Sequence, residues 1–129
     1  MKAFDTADHA VLLAKLQLLG FDIAACDWFK SYLSNRTQSV RYAGHTSQPL
    51  PVSSGVPEGS VISPVMFLIY IYDLLTSLSN NCIAHADDVT LVAYGDSEAE
   101  AVTSLQGLVD IISTWSANNC LRLSTTKSV

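Results

Sequence analysis

Asp87 and Asp88 stand side by side in "CIAHADDVTLVAY", residues 82–94, a run otherwise mostly apolar. Two kinds of chemistry account for such a pair. Aspartate suits a tight turn, because its side chain hydrogen-bonds nearby backbone and tolerates turn angles. Adjacent carboxylates on a rigid tip also suit a hard divalent cation such as magnesium, which takes one or two carboxylates and completes its shell with water and phosphate oxygens. Two carboxylates alone do not hold the paired ions of a phosphoryl-transfer site, so a third has to converge from elsewhere in the chain. His85 is a weak ligand candidate, since no second His or Cys is spaced to join it.

Three further stretches carry chemistry. "SGVPEGS", residues 54–60, joins glycines that permit close backbone approach to a stiffening proline. Lys30, Arg36 and Arg41 form the one basic cluster, suited either to phosphate contact or to a solvated surface. Lys127 lies in the closing "TTKSV", where by itself it reads as a solvated tail lysine.

The elements that must position these residues follow from pattern. Asp5-Thr6 before "ADHAVLLAKLQLLG" predicts a capped helix with Val11, Leu12, Leu16 and Leu19 on one face and a stop at Gly20. A second helix is expected from Asp22 to about Leu33, and "SNRT" turns the chain. "QSVRYAG" reads as a strand, and "HTSQPLPVSS" as a turn into a second extended piece that Pro49 and Pro51 confine to an edge. Ser63-Pro64 opens a helix, "PVMFLIYIYDLLTSL", so apolar that burial on most faces is expected. Residues 82–86 and 89–94 predict a β-hairpin joined by Asp87-Asp88. Ser97 and Glu100 have capping-box spacing before another helix, and "LRLS" reads as a last strand. Helices beside a mostly antiparallel sheet make an α+β domain.

Composition narrows the class. The 129 residues are 49% hydrophobic and 15% charged, lean in charge for a free-standing domain, which implies apolar surface meant for a neighbour. A net charge of −5 repels nucleic acid overall, so phosphate binding has to rest on local groups or metal ions. Three widely spaced cysteines give neither a disulfide framework nor a zinc site and favour a reducing intracellular setting. The charged N-terminus is not a signal peptide, and the longest apolar run, Val65 to Tyr72, is far short of the roughly 20 residues that cross a bilayer.

Five blocks in fixed order, "KAFDTADHAVLLAKLQLLGF", "WFKSYLSNRTQSVR", "SGVPEGSVISPVMFLIYIYDL", "ADD" and "WSANNCLRLSTTKS", together resemble the reverse transcriptase of non-LTR, jockey-like retrotransposons. The resemblance covers essentially the whole chain. It implies a polymerase palm fragment, residues 1–129, running from the end of the first palm motif through the fourth. It further implies an acidic hairpin at the centre of the sheet, helices packed on one face, and fingers and thumb largely absent.

By that resemblance Asp87 is the ligand shared by two magnesium ions, with Asp88 supporting it and Lys127 assisting the leaving pyrophosphate. Phe4, in "KAFD", takes the place that crowds the sugar 2′ position and prefers deoxynucleotides. Gly55, Pro57, Glu58 and Gly59 take the place of the loop beneath the incoming nucleotide and template base. Glu58 stands where the family has Gln, exchanging an amide that donates and accepts for a carboxylate that only accepts. His85 stands where the family has Phe or Tyr. Asp5 is expected to cap a helix; the metal ligand of that motif belongs six residues before it, outside this sequence, so the chain alone is expected not to polymerise. The implied partners are an RNA template, a DNA primer, deoxynucleoside triphosphates and the missing fingers and thumb, with no membrane. One other reading stays open, a decayed or domesticated palm serving as an interaction module; the five ordered blocks argue against a different two-metal phosphotransferase or nuclease that merely shares an acidic hairpin.

Overall fold

The computed structural model describes residues 3–121, 123 and 124. A single turn of 3₁₀ helix, Ala3–Asp5, leads into α1, His9–Leu18. The cap of α1 is Asp8, not Asp5 or Thr6: its Oδ1 accepts from the backbone of Ala10 (2.8 Å) and Val11 (3.1 Å). Asp5 and Thr6 are taken up instead by the 3₁₀ turn, where the Thr6 amide and hydroxyl both donate to Ala3 O at 3.1 Å. Gly20 ends α1 as expected. Its φ of +85° lets its amide reach Gln17 O while the Phe21 amide reaches Leu16 O, the paired bonds that close a helix on a left-handed residue.

Helix α2 spans Ile23–Leu33, and Asp22 Oδ1 accepts from the Ala25 amide at 2.7 Å. Asn35 turns the chain at φ +55°. The strand expected over "QSVRYAG" is broken into two short pieces, β1 Thr37–Gln38 and β2 Arg41–Tyr42, and "HTSQPLPVSS" carries β3 His45–Thr46 and the extended β4 Leu50–Pro51. β2 folds back on β3, because Ala43 and Gly44 both take positive φ and form the turn; β1 pairs with β4 below it.

Helix α3, Ser63–Leu78, is the spine of the molecule. Pro64 sits in its first turn, but Ile62 is the capping position, and the Ser63 hydroxyl donates to Pro57 O at 2.6 Å instead. Met66, Phe67, Tyr70, Ile71, Leu74 and Leu78 are buried against Leu12, Leu33, Val56 and Trp115, each such side chain adding about 1.5–3 kcal/mol of burial energy. Burial on most faces is only partly met. Val65, Leu68 and Tyr72 stand 55, 55 and 54% exposed, since none of the described elements covers that side.

β5, Cys82–His85, and β6, Asp88–Leu91, pair antiparallel from Cys82↔Leu91 to His85↔Asp88. The two-residue connection is therefore Ala86-Asp87, one position earlier than expected, with Ala86 at φ +53° and Asp88 inside the ladder. All pairings are antiparallel, but they make three separate two-stranded ribbons, so the acidic ribbon is not the centre of a larger sheet among the described residues. Helix α4, Glu98–Asn118, starts at Ser97, whose Oγ accepts from the Glu100 amide at 3.3 Å; the Glu100 carboxylate reaches back to the Asp96 amide at 3.0 Å. The strand expected at "LRLS" is not formed at Leu121, Leu123 or Ser124. No helix of the described residues is long and apolar enough to cross a membrane.

A partly buried polar knot ties three helices. The Tyr70 hydroxyl accepts from the Asp8 amide at 3.2 Å and donates to Asn119 O. Lys15 Nζ donates to Tyr70 O and to Asp73 Oδ1, both at 2.6 Å, and lies over the Tyr70 and Trp115 rings. Burial holds the Lys15 ammonium below its ordinary 10.5, against the pull of the Asp73 hydrogen bond and charge. Burial likewise pushes the Tyr70 phenol above 10.0. The folded chain thus keeps the Tyr70 proton where the unfolded chain releases it, so this group makes stability fall as pH rises above 10.0. Lys15 acts the other way below 10.5, where the unfolded chain holds the extra proton. Tyr70→Phe leaves the Asp8 amide and the Asn119 carbonyl unpaired, so a loss of about 1–3 kcal/mol is expected at neutral pH. Denaturant unfolding of this variant should also show a shallower fall in stability above pH 10.0 than the parent chain.

Candidate active site

The loop between β4 and α3 docks directly on the segment before α1. The Gly55 amide donates to Ala7 O and the Val56 amide to Phe4 O, both at 2.8 Å, and the Ser54 hydroxyl donates to Asp5 O at 3.2 Å. His9 Nε2 lies 2.8 Å from Gly55 O; a carbonyl only accepts, so the ring nitrogen donates. Gly55 is buried at φ +85°, and a Cβ there would meet the Asp5 backbone at 2.8 Å. That close approach is why this position is glycine.

Farther along, the loop is held by Ser63 Oγ to Pro57 O and by Tyr32 Oη, which shares a 2.6 Å hydrogen bond with Ser60 Oγ. Both ends are thus fixed by helices, while Glu58 and Gly59 are exposed between them. A Cβ on Gly59 meets no described atom within 4 Å, so among the described residues the close approach expected at both glycines is used only at Gly55.

Phe4 is half-buried and stacks on Phe67, with ring centroids 4.3 Å apart and planes 20° from parallel. One face therefore packs on the core while its carbonyl holds Val56. Beside it opens a groove of about 320 Å³ lined by Asp5, Arg36, Gln38, Ser54, Gly55 and Glu58, among others. Of the three basic residues only Arg36 lines it, with its guanidinium 5.5 Å from the centre of the Tyr32 ring. Lys30 is exposed in the last turn of α2 and Arg41 is exposed on β2.

Asp87 and Asp88 are exposed at the tip of the β5–β6 ribbon and do not line this groove. The ribbon is anchored by Val89, Leu91 and Cys82, which pack against the core, leaving Asp88 and Thr90 on the outward face. His85 and Asp88 are directly opposed across the strands. The oxygen donors suit a hard divalent ion, but their number is short: among the described residues no three His, Cys, Asp or Glu side chains gather to hold one. Lys127 lies outside the described residues.

Sequence reasoning missed His9, Lys15 and Tyr70. Asp73 was the available signal for the last two: it is the one charged residue in the α3 run, and a charge in an apolar helix calls for a partner. Nothing in the sequence marked His9, whose partner is 46 residues away.

The family model described as reverse transcriptase (RNA-dependent DNA polymerase) matches residues 1–129. The RNA-directed DNA polymerase from mobile element jockey of Drosophila melanogaster is 29% identical over 134 residues, covering 98% of this chain and 14% of that protein. The 115 kDa protein of type-1 retrotransposable element R1DM, from the same fly, is 33% identical over 129 residues, covering 98% of this chain and 12% of that protein. The Pol polyprotein of type-1 retrotransposable element R2 from Popillia japonica is 28% identical over 108 residues, covering 74% of this chain and 18% of that protein. This chain therefore spans 12–18% of the length of these relatives. It belongs to the reverse transcriptase (RNA-dependent DNA polymerase) family, alongside the polymerases of non-LTR mobile elements.

Proposed function

We propose that the chain is the palm segment of an RNA-directed DNA polymerase, which extends a DNA primer on an RNA template by nucleotidyl transfer from deoxynucleoside triphosphates. The observation that supports this best is the docking of the Gly55 loop on the Phe4 segment through the Gly55–Ala7 and Val56–Phe4 bonds. It builds a rigid wall from two stretches 50 residues apart in sequence, with Phe4 fixed by Phe67 beside the groove. A ring held so firmly can exclude a 2′-hydroxyl without yielding, and a loop anchored at both ends can meet a base or sugar at little ordering cost.

Asp87 and Asp88 are the residues proposed to hold magnesium, two ions in the intact enzyme, with a third carboxylate from the upstream segment. When bound, the ions supply charge stabilisation for the transferring phosphoryl group and the leaving pyrophosphate. Lys127 is proposed to neutralise that leaving group, and Lys30, Arg36 and Arg41 to contact template phosphate. The test is magnesium-dependent primer extension on an RNA template by a polypeptide joining this sequence to the upstream segment; no incorporation by that polypeptide rejects the reading. In the same assay Glu58→Gln should lower the nucleotide KM several-fold, because it removes a negative charge beside a triphosphate and restores a donor. An unchanged KM would discard that role for Glu58.

The exposed stripe Val65, Leu68 and Tyr72 on α3, with Val102, Leu105 and Val109 on α4, favours a second reading, a palm that serves as an interaction module. Under that reading the extended polypeptide captures a partner chain and incorporates no nucleotide.

A further inference from the structure

Helix α2 carries a ring stack that the loop engages only through the Tyr32 hydroxyl. Trp28 lies nearly parallel to Tyr32, centroids 5.4 Å apart and planes at 12°, and the Arg36 guanidinium lies over the same Tyr32 ring. The four-residue spacing puts Trp28 and Tyr32 on one face, one turn apart. Phe29 meets Trp28 edge-on at 5.1 Å and 83°, fixing the indole further. With both neighbours in place, 54% of Trp28 is still open. The stack leads into the candidate site at two points: Tyr32 is bonded to Ser60 of the loop, and Arg36 lines the groove beside Gly55 and Glu58.

A pre-ordered open ring with a cation at one end is what a nucleobase and its phosphate need. Bases stack on aromatic rings whatever their identity, and guanidinium donors reach the adjoining phosphate oxygens. We propose that a single nucleic-acid strand passes between the groove and this stack, with one base lying on Trp28 and its phosphate on Arg36. The proposal rests on the polymerase reading of the groove and adds to it a contact for the strand outside the groove. Charge sets its strength. Asp27 flanks Trp28 in sequence, and Asp5 and Glu58 share the groove with Arg36, so one phosphate is neutralised and affinity is modest. For one phosphate on a single strand, log K falls with log salt at a slope of about −0.7. A duplex, whose base faces are already stacked, gains nothing from Trp28.

The 129-residue chain tests this directly, because its two tryptophans differ: Trp28 is open and Trp115 is only 9% exposed. Titration uses eight-nucleotide oligouridine RNA, oligothymidine DNA and a blunt duplex. Tryptophan emission is read with unlabelled strands and affinity from the anisotropy of labelled ones. Both single strands should quench saturably and alike, the duplex weakly. Trp28→Ala should raise Kd about fivefold or more, while Trp28→Phe, which keeps a ring, stays within about threefold of the parent. Arg36→Ala should flatten the salt slope by about 0.7. The proposal is overturned if oligonucleotides do not bind, if Trp28→Ala binds as tightly as the parent, or if Trp28 emission shifts with protein concentration alone, which means that a second copy covers the stack. Equal binding by Trp28→Ala removes the platform and leaves the polymerase reading intact. Platform binding without primer extension by the extended polypeptide does the reverse.

Discussion

Asp87→Asn, in a polypeptide that joins this sequence to the upstream segment, should reduce primer extension by at least about a hundredfold while leaving the fold unchanged. The substitution keeps the shape of the side chain and removes its charge. Losing one preorganised group that stabilises transition-state charge costs roughly 10²–10³ in rate. The effect should fall on kcat, since the charge matters most as the pyrophosphate departs. Asp88→Asn should cost less, because Asp88 sits within the ladder opposite His85 and on the outward face of β6, not in the turn. Stability separates this from damage to the ribbon. Asp87 is exposed, and the ribbon is held by Val89, Leu91 and Cys82 packing on the core, so the thermal midpoint should move by an amount equivalent to no more than about 0.5 kcal/mol. An Asp87→Asn enzyme that extends primers at the parental rate would remove the hairpin from the chemistry.

Local signals in the sequence carried the helices well and the strands poorly. Asp22, Ser97 and Gly20 cap or stop helices where their types suggest, because capping depends on a few neighbouring backbone groups. The start of α1 was displaced from Asp5 to Asp8 because three acceptor side chains, Asp5, Thr6 and Asp8, compete for it, and the 3₁₀ turn takes the first two. The pairings of "QSVRYAG" turned on Ala43-Gly44 adopting positive φ, and alanine gives no warning of that. The same holds for Ala86, which moved the turn of the acidic ribbon by one residue. Of the site, the residue types in "KAFD" and "SGVPEGS" were visible, but their mutual docking was not. It is made of backbone bonds between Phe4–Ala7 and Gly55–Val56, and backbone groups are identical in every sequence. Arg36 was separable from Lys30 and Arg41 only once Tyr32 was seen beneath it.

The docking makes the second large prediction quantitative. Gly55→Ala should destabilise the chain by about 2–5 kcal/mol, combining about 1–2 kcal/mol for an L-residue in left-handed backbone with about 1–3 kcal/mol for a methyl group forced into packed atoms. The atoms it meets are the Cα, C and O of Asp5, all at 2.8 Å, and backbone cannot swing aside as a side chain would. The loop and the Phe4 segment therefore have to separate, and the bonds from the Gly55 and Val56 amides to Ala7 and Phe4 go with them. Gly59→Ala supplies the control: its φ of +76° carries the same backbone strain, but a Cβ there meets no described atom within 4 Å, so only the strain of about 1–2 kcal/mol is expected. Denaturant unfolding measures the two losses, and amide exchange at Val56 reports whether the loop has lifted. In the extended polypeptide the same lift should impair discrimination against ribonucleotides, because Phe4 loses the wall beside it, whereas Gly59→Ala should leave discrimination intact. Equal destabilisation at the two glycines, with Val56 still protected in both, would show that the contact at Gly55 does not hold the loop to the Phe4 segment.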